Sequence, residues 1–305
     1  MSGKKSSLWQ ESLESGFSAW IEKHGYSHKT MKTYNSMIFA YLDFLGKKNI
    51  QIESANKTIV EQFFKERGIS ERTKVRYLWL INDIYEDMLE SEFISKNDIA
   101  LVLEKKRLGM RGKSPKRLPT ILSDHETQLL LEYIEALPKH YSGQRERCAL
   151  TLLLGTGMRE QELCDLKTTQ MHLNDEKPYV TIIGKFDKER LVPLPEDIIN
   201  ALLEFIDLKE SSKARKSEYF LSSKATGNPY VPSSVYRMVN TAMMDAGILK
   251  DKMSPHVLRH AFITRQLAAG TPLTTVKLWA GHDSIATTAI YEHVVTSLHG
   301  SKTTL

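Results

Sequence analysis

The chain contains little cysteine. Only two of its 305 residues are cysteines, Cys148 and Cys164, and neither lies in a Cys-x-x-Cys pair or in a cysteine and histidine cluster with zinc-ligand spacing. We therefore expect both to be reduced packing residues, and we expect no metal site built on them.

Long hydrophobic runs are also missing. Runs such as 149–154 fall far short of the ~20 apolar residues that a membrane span requires. Near the N-terminus, Glu11 and Glu14 interrupt anything that resembles the apolar core of a signal peptide. The sequence therefore predicts a cytoplasmic protein, and its length leaves room for two packed domains.

Excess positive charge is confined to one stretch. The net charge is only +5, but residues 104–117 hold seven basic side chains against one acid, Glu104, so this stretch carries +6 and the rest about −1. The basic residues are Lys105, Lys106, Arg107, Arg111, Lys113, Lys116 and Arg117. Such a run suits either a solvated flexible linker or a strap that contacts phosphates and releases counterions. It separates a predicted first domain, residues 1–103, from a second, residues 118–305.

The first domain has helical apolar spacing throughout. Four helices fit, over residues 8–23, 28–46, 56–67 and 71–91. In the last of them, apolar residues recur at three- and four-residue steps from Tyr77 to Leu89, and Ser70 precedes it as an N-cap. That stripe predicts a packed helical core.

Helices also dominate the second domain. Ser123 and Glu126 have capping-box spacing and open a helix that continues through Leu137. Further helices are predicted over residues 144–154, ending at Gly155, over 196–210 and over 233–246, and three more begin at Pro255, Pro272 and Ile285.

One β signal interrupts these helices. The β-prone runs Tyr179–Ile183 and Leu191–Leu194 flank Gly184-Lys185-Phe186-Asp187 and predict a hairpin. The predicted fold class is therefore mainly α with a small β-sheet in the second domain.

Cationic and proton-transferring residues stand beside these local signals. They are Arg159, Lys185, His256, Arg259, His282 and Tyr291. His256 and Arg259 are three residues apart, so they share a helix face and can point at one small ligand, and a guanidinium group fits two phosphate oxygens. Taken singly, none of these residues is specific.

Taken jointly, three segments resemble the tyrosine recombinase (phage integrase) family. They are GTGMREQELCDL at 155–166, SPHVLRHAFITRQLAAG at 254–270 and WAGHDSIATTAIYEHV at 279–294. They are similar to the family's first Arg motif, its His-x-x-Arg motif and its Gly-His to Tyr motif, in the family's order and at family-like spacing. The helical first domain resembles the family's core-DNA-binding domain. The resemblance implies a C-shaped clamp of two domains around a DNA duplex, and because about seven residues precede the first predicted helix, we expect a simple two-domain type.

The resemblance also implies a role for each candidate residue. Tyr291 is the expected nucleophile, which forms a 3′-phosphotyrosyl ester, while Arg159 and Arg259 stabilise charge on the phosphate. His256 is the expected base and Lys185 the expected acid for the leaving 5′-oxygen. His282 is expected to bond phosphate or to position the tyrosine. Glu162 is expected to hold a neighbouring basic or histidine side chain.

Some assignments stay open at this stage. Phe186 stands where the family's hairpin commonly has a second glycine, so Lys188 is an alternative to Lys185 for reaching the phosphate. His260 has the pattern of a hydrogen-bonded structural histidine. DNA contacts are expected for the linker residues and for Lys29, Lys32, Arg72, Lys74 and Arg76, although these five also suit an ordinary solvated surface.

The sequence thus predicts a site-specific DNA recombinase. It is expected to act on double-stranded recombination sites as a homotetramer, with or without a related second recombinase or accessory protein, and to pass through a Holliday junction. No metal and no nucleotide cofactor is expected. A type IB topoisomerase and a catalytically silent DNA-binding protein are the alternatives.

The tail after Tyr291 is either a short helix that docks on a neighbouring subunit or a frayed terminus.

The linker provides a first test. If residues 104–117 contact phosphates, replacement of Lys105, Lys106 and Arg107 by Ala weakens binding similarly for all DNA sequences. Because each lost contact retains one counterion, the slope of log affinity against log salt flattens by about 0.9 per contact. Fluorescence anisotropy across a salt series measures the slope, and an unchanged slope identifies a plain linker.

Overall fold

The computed structural model describes residues 8–99, 119–184 and 187–299. The linker 104–117 and the hairpin residue Lys185 lie outside these ranges. The chain divides into two compact units, Met1–Lys116 and Arg117–Leu305. Among the described residues, no helix is both long enough and apolar enough to cross a membrane.

Within its described residues, unit 1 consists of helices joined by turns and short irregular segments. Its helices are α1 (Leu8–Glu11), α2 (Leu13–Lys23), α3 (His28–Lys47), α4 (Lys57–Glu66) and α5 (Glu71–Glu90). Large aromatic side chains fill the core, and the Tyr85 hydroxyl donates to the carbonyl of Ile52 over 2.8 Å. The apolar stripe of α5 faces this core, and Ser70 caps the helix as predicted, because its hydroxyl accepts from the Thr73 N–H.

One predicted helix of unit 1 was wrong. Residues 8–23 form two helices, because Ser12 has an extended backbone and its hydroxyl accepts from the Ser15 N–H, which starts a new helix. The side chain of Trp9 covers Gly16, where a Cβ atom would lie 2.1 Å from the ring. The break therefore allows Trp9 to enter the core.

Unit 2 is built around one buried helix. Its helices are α6 (Asp124–Ala136), α7 (Tyr141–Thr156), α8 (Glu160–Asp165), α9 (Glu196–Glu210), α10 (Pro232–Asp245), α11 (Pro255–Ala268), α12 (Leu273–Ala280) and α13 (Ile285–His299). Helix α7 is buried along nearly its whole length and packs against α9 and α11. Cys148 on α7 and Cys164 on α8 are both buried, as expected of packing residues.

A three-stranded antiparallel sheet lies in the same unit. Strands β1 (Met171–His172), β2 (Tyr179–Ile183) and β3 (Glu189–Pro193) are arranged in the order β1-β2-β3. The predicted hairpin is confirmed, but its second strand begins two residues earlier, because Glu189 pairs with Ile183 and Arg190 with Ile182. The two-residue strand β1 was not predicted.

Local signals placed several helix ends correctly and two of them wrongly. The capping box of Ser123 and Glu126 starts α6, and Pro255 occupies the first turn of α11. Helix α7 continues through Gly155 to Thr156, and Gly157, which has a left-handed backbone, is its C-cap. Pro272 is the N-cap of α12 and not its first residue.

Gly157 provides a test of this helix end. Its φ is +63°, and a Cβ atom there would lie 2.3 Å from the ring of Phe262 on α11. Gly157→Ala therefore pays a left-handed backbone cost of about 1–2 kcal/mol and a packing cost of about 1–3 kcal/mol in addition. Urea unfolding followed by circular dichroism measures the sum.

Gly247 is the matched control. Its φ is +75°, and nothing lies within 4 Å of the position that its Cβ would occupy. Gly247→Ala should therefore show only the backbone cost. Equal destabilisation by the two variants would mean that contact with Phe262 does not constrain the end of α7.

Candidate active site

Four segments of unit 2 converge on one site. Arg159 is the N-cap of α8, and Arg259 and His260 lie on α11. His282 follows the end of α12, and Tyr291 lies on α13. Helix α11 contacts α7, α12 and α13, so it forms the base on which the other segments are arranged.

The Glu162 carboxylate lies at the centre of the polar contacts. It accepts from the Arg159 main-chain N–H over 2.7 Å and from its guanidinium over 2.8 Å. On its other side, Arg190 of β3 donates both terminal nitrogens to the two carboxylate oxygens, over 2.9 and 2.6 Å. Burial alone would raise the pKa of Glu162, but Arg190 and Arg159 outweigh it and lower the pKa below its usual value.

The two arginines that bind Glu162 also hold the end of α12. Arg190 donates through Nε to the carbonyl of Trp279 over 2.8 Å, and Arg159 donates to the carbonyl of Gly281 over 2.6 Å. A Cβ atom on Gly281 would lie 3.0 Å from Arg190, and the φ of Gly281 is +62°. A glycine at this position therefore lets the backbone turn tightly over Arg190 and presents His282 to the site.

Arg259 is a buried cation with only main-chain partners among the contacts described. Its side chain donates to the carbonyls of Gly157 and Ala280, and the residue is 5% exposed. Burial, followed by repulsion from Arg159, lowers the pKa of Arg259 to about 10. The guanidinium is therefore still charged at neutral pH.

The Tyr291 hydroxyl is hydrogen-bonded to a histidine. Its oxygen lies 2.5 Å from Nδ1 of His260, and the two ring centroids are 5.4 Å apart. Burial raises the pKa of Tyr291, against the opposing charge of Arg259. Burial, then His256, then Arg259 lower the pKa of His260 to about 4. At neutral pH the phenol is therefore protonated and the imidazole neutral, and the phenol donates to Nδ1 when the imidazole carries its proton on Nε2.

His282 lies on the other side of the tyrosine. Its ring centroid is 6.4 Å from that of Tyr291, and its Nδ1 lies 2.9 Å from the hydroxyl of Thr288. Burial and then the charge of Arg259 lower its pKa to about 4. His282 is therefore also neutral at pH 7, so the arginines carry the positive charge of this site.

These charges make the site a receptor for an anion. Three guanidinium groups, those of Arg159, Arg190 and Arg259, are opposed by one carboxylate among the described side chains that contact them. The net charge is positive and partly shielded from water, where a charged interaction is stronger than at an open surface. A tetrahedral anion beside Tyr291 would relieve the repulsion among the arginines.

The structure brings together most of the predicted site residues. Arg159, Glu162, Arg259, His282 and Tyr291 are linked by the contacts above. The remaining predicted histidine, His256, is exposed, and its ring centroid lies 6.4 Å from that of His260. Its assignment as the base stays a prediction. The alternative hairpin lysine, Lys188, is exposed, and its ammonium lies 3.6 Å from the carboxylate of Asp283, the neighbour of His282.

Two members of the site were missed or underrated in the sequence. Arg190 was not singled out, although it lies two residues before the buried Val192 on β3 and therefore on the same inward face, where a charge requires a partner. His260 was interpreted as structural, but its hydrogen bond is to the candidate nucleophile, Tyr291.

The predicted DNA-contacting residues of unit 1 lie at or near its surface. Lys29 and Lys32 on α3 and Arg76 on α5 are exposed. Lys74 is half-buried and pairs with Glu71 over 2.6 Å. The side chain of Arg72 lies outside the described residues. Contact with DNA remains a prediction for all five.

A comparison with known protein families identifies unit 2. The model of the phage integrase family matches residues 120–297, more than half of the chain and all the site residues above. The chain belongs to the phage integrase family. It is therefore a tyrosine recombinase, as the three sequence segments had indicated.

Individual relatives extend the likeness to both units. The tyrosine recombinase XerD of Staphylococcus aureus is 29% identical over 279 residues, which cover 90% of each chain. The XerD of Staphylococcus saprophyticus is 29% identical over 281 residues, with the same coverage.

Solved structures show the same fold. XerH site-specific recombinase, bound to a palindromic difH substrate in a post-cleavage complex, superposes with a TM-score of 0.75 at 24% identity, over 88% of this chain and 77% of that one. The Tn1549 transposon integrase in complex with transposon right end DNA gives a TM-score of 0.68 at 19% identity, over 90% and 92%.

The central carboxylate of this recombinase provides a test of the site's construction. Glu162→Gln keeps the shape but leaves Arg159 and Arg190 without their counter-charge. Because breaking a buried ion pair leaves uncompensated buried charge, we expect a loss of about 3 kcal/mol in the free energy of unfolding. Urea unfolding measures it.

An exposed pair in the same unit is the control. Glu218 binds Lys167 over 2.8 Å with half-exposed side chains, so Glu218→Gln should cost less than about 1 kcal/mol. Similar losses for the two variants would contradict a structural role of the Glu162 cluster.

Proposed function

We propose that Tyr291 is the nucleophile with which this site-specific DNA recombinase breaks and rejoins DNA strands. The observation that carries the proposal is that Tyr291 interacts electrostatically with Arg259, a buried cation that belongs to a site with excess positive charge. A phosphodiester is the anion that such a group suits, since attack by a side-chain oxygen increases the negative charge on its non-bridging oxygens.

Arg159 and Arg259 supply this charge stabilisation. Both are permanently charged, and both are fixed in place by carbonyls at the end of α12, Arg159 by Gly281 and Arg259 by Ala280. Donors that are oriented in advance need no reorganisation when the charge develops. His282 and the exposed His256 are proposed to hydrogen-bond phosphate oxygens or to assist proton transfer.

Attack by Tyr291 forms a 3′-phosphotyrosyl ester and releases a 5′-oxygen. Lys185 is the proposed donor of the proton to that oxygen. The ester keeps the energy of the original bond, so a 5′-hydroxyl from another strand reverses the step without ATP. Exchange of two strands in this way produces a Holliday junction.

The wider assembly is part of the same proposal. We infer that the protein acts in the cytoplasm as a tetramer on two recombination sites. XerH bound to a difH substrate and the Tn1549 integrase bound to transposon DNA support DNA as the substrate. Likeness to recombinases over about nine-tenths of the chain argues against the topoisomerase alternative. The hydrogen-bonded tyrosine amid intact arginines argues against a silent DNA-binding protein.

Removal of the hydroxyl tests the proposal. Tyr291→Phe keeps the ring, so the variant should fold and bind DNA but form no covalent adduct. A nicked suicide duplex, which carries a binding site selected from a random pool, loses its freed 5′ fragment and traps the adduct of the wild type. Denaturing electrophoresis and peptide mapping detect it.

Two further variants complete the experiment. Tyr236 on α10 is 47% exposed, so Tyr236→Phe is the matched control and should form adduct normally. Arg259→Ala should bind DNA and cleave about 100- to 1,000-fold more slowly, because it loses one oriented charge. Adduct formation by Tyr291→Phe, or its mapping to another tyrosine, would refute the assignment.

A further inference from the structure

We propose that His260 accepts the proton of Tyr291 during cleavage and holds its hydroxyl in position beforehand. The inference rests on the proposed role of Tyr291 as nucleophile. It gives His260 the part that the sequence had suggested for His256.

The geometry around the hydroxyl favours His260. Tyr291 is 5% exposed, so bulk water has little access to its proton. The 2.5 Å separation between Oη and Nδ1 is a direct hydrogen-bond contact, at the short end of the reach that a general base requires. Because His260 and Tyr291 belong to α11 and α13 of one chain, this contact is made before any partner arrives.

The neighbouring histidines are less well placed for this task. His256 is exposed one turn earlier on α11, and the described hydrogen bond of the Tyr291 hydroxyl is made with His260. His282 has its Nδ1 against Thr288, and its ring centroid is 6.4 Å from that of Tyr291. Both remain available for the phosphate.

The charges around His260 explain why it is neutral at rest and more basic when DNA is bound. The titratable groups that face it are His256 and Arg259 on its own helix, Tyr291 on α13 and His282 after α12. Burial and the first two of these hold the pKa of His260 at about 4, so the imidazole is neutral, and its Nε2–H tautomer presents an unprotonated Nδ1 to Tyr291. A bound phosphate brings negative charge beside Arg259, which opposes this repulsion and raises the basicity of the imidazole.

The step balances with the groups already named. The bond from Tyr291 Oη to phosphorus forms, the bond from phosphorus to the 5′-oxygen breaks, and the phenol proton moves to Nδ1 of His260. The departing 5′-oxygen takes its proton from Lys185. Rejoining reverses each transfer, so both residues return to their starting states.

The test begins with His260→Asn. The amide oxygen of asparagine can occupy the position of Nδ1 and accept the hydroxyl, but it cannot take up a proton. We expect normal DNA binding and adduct formation about 100- to 10,000-fold slower than the wild type in single-turnover assays on the suicide duplex. The fall of the wild-type rate at acid pH, where His260 is protonated, should be lost. His125→Asn, an exposed histidine on α6, is the matched control and should cleave normally.

Two chemical rescues separate proton acceptance from a structural role. 3,5-Difluorotyrosine at position 291 has a more acidic phenol, so it should raise the rate of adduct formation by His260→Asn at least tenfold. A 5′-bridging phosphorothioate, whose sulfur leaves without a proton, should restore Lys185→Ala but not His260→Asn. If circular dichroism shows that His260→Asn is unfolded, His260→Gln undergoes the same series.

The outcomes distinguish this inference from the proposed function. A His260 variant that cleaves at the wild-type rate, or that the bridging sulfur rescues and difluorotyrosine does not, overturns the role of His260 alone. Failure of the wild type to form an adduct at Tyr291 overturns the nucleophile and this inference with it.

Discussion

The Glu162 carboxylate, shared between Arg159 and Arg190, is the contact on which the rest of the site depends. It joins α8 to β3, and the same two arginines bind the carbonyls of Trp279 and Gly281 at the end of α12. Burial works against a charged carboxylate, yet its pKa is lowered, so pairing with the arginines outweighs the cost of leaving water. One acid against the arginines leaves positive charge in excess, and that excess is what a DNA phosphate can neutralise.

The excess positive charge separates the side chains of the site into two kinds, charged arginines and neutral histidines. Burial, together with His256 and Arg259 in the case of His260 and with Arg259 and Arg159 in the case of His282, keeps both imidazoles neutral at pH 7, so neither adds to the attraction for phosphate. In the proposed reaction the arginines stabilise charge without exchanging protons, and the neutral imidazoles accept or donate protons. Burial raises the pKa of Tyr291, so in that proposal its phenol needs a neighbouring proton acceptor.

Local chemistry explains how much of the fold could be predicted from the sequence. The capping box at Ser123 and the proline at the start of α11 act within one helical turn, so they fixed those helix ends. Gly155 and Gly157 are equivalent as local signals, but the ring of Phe262 leaves no room for a side chain at the second. The break at Ser12 likewise follows from the burial of Trp9. Where local signals allowed more than one position for a helix end, contacts across the fold determined which one is used.

In the candidate site, too, local spacing predicts some features and contacts across the fold decide the others. Spacing along α11 places both His256 and His260 within one turn of Arg259, and nothing in that spacing says which imidazole meets the tyrosine. The choice depends on how α13 crosses α11, a contact between residues 31 positions apart. Arg190 was missed for a related reason, since its partner Glu162 lies 28 positions away on another element. Arg159 and Arg259 were therefore recognisable from their motifs, whereas Arg190 and the imidazole that meets Tyr291 depend on contacts between elements far apart in the sequence.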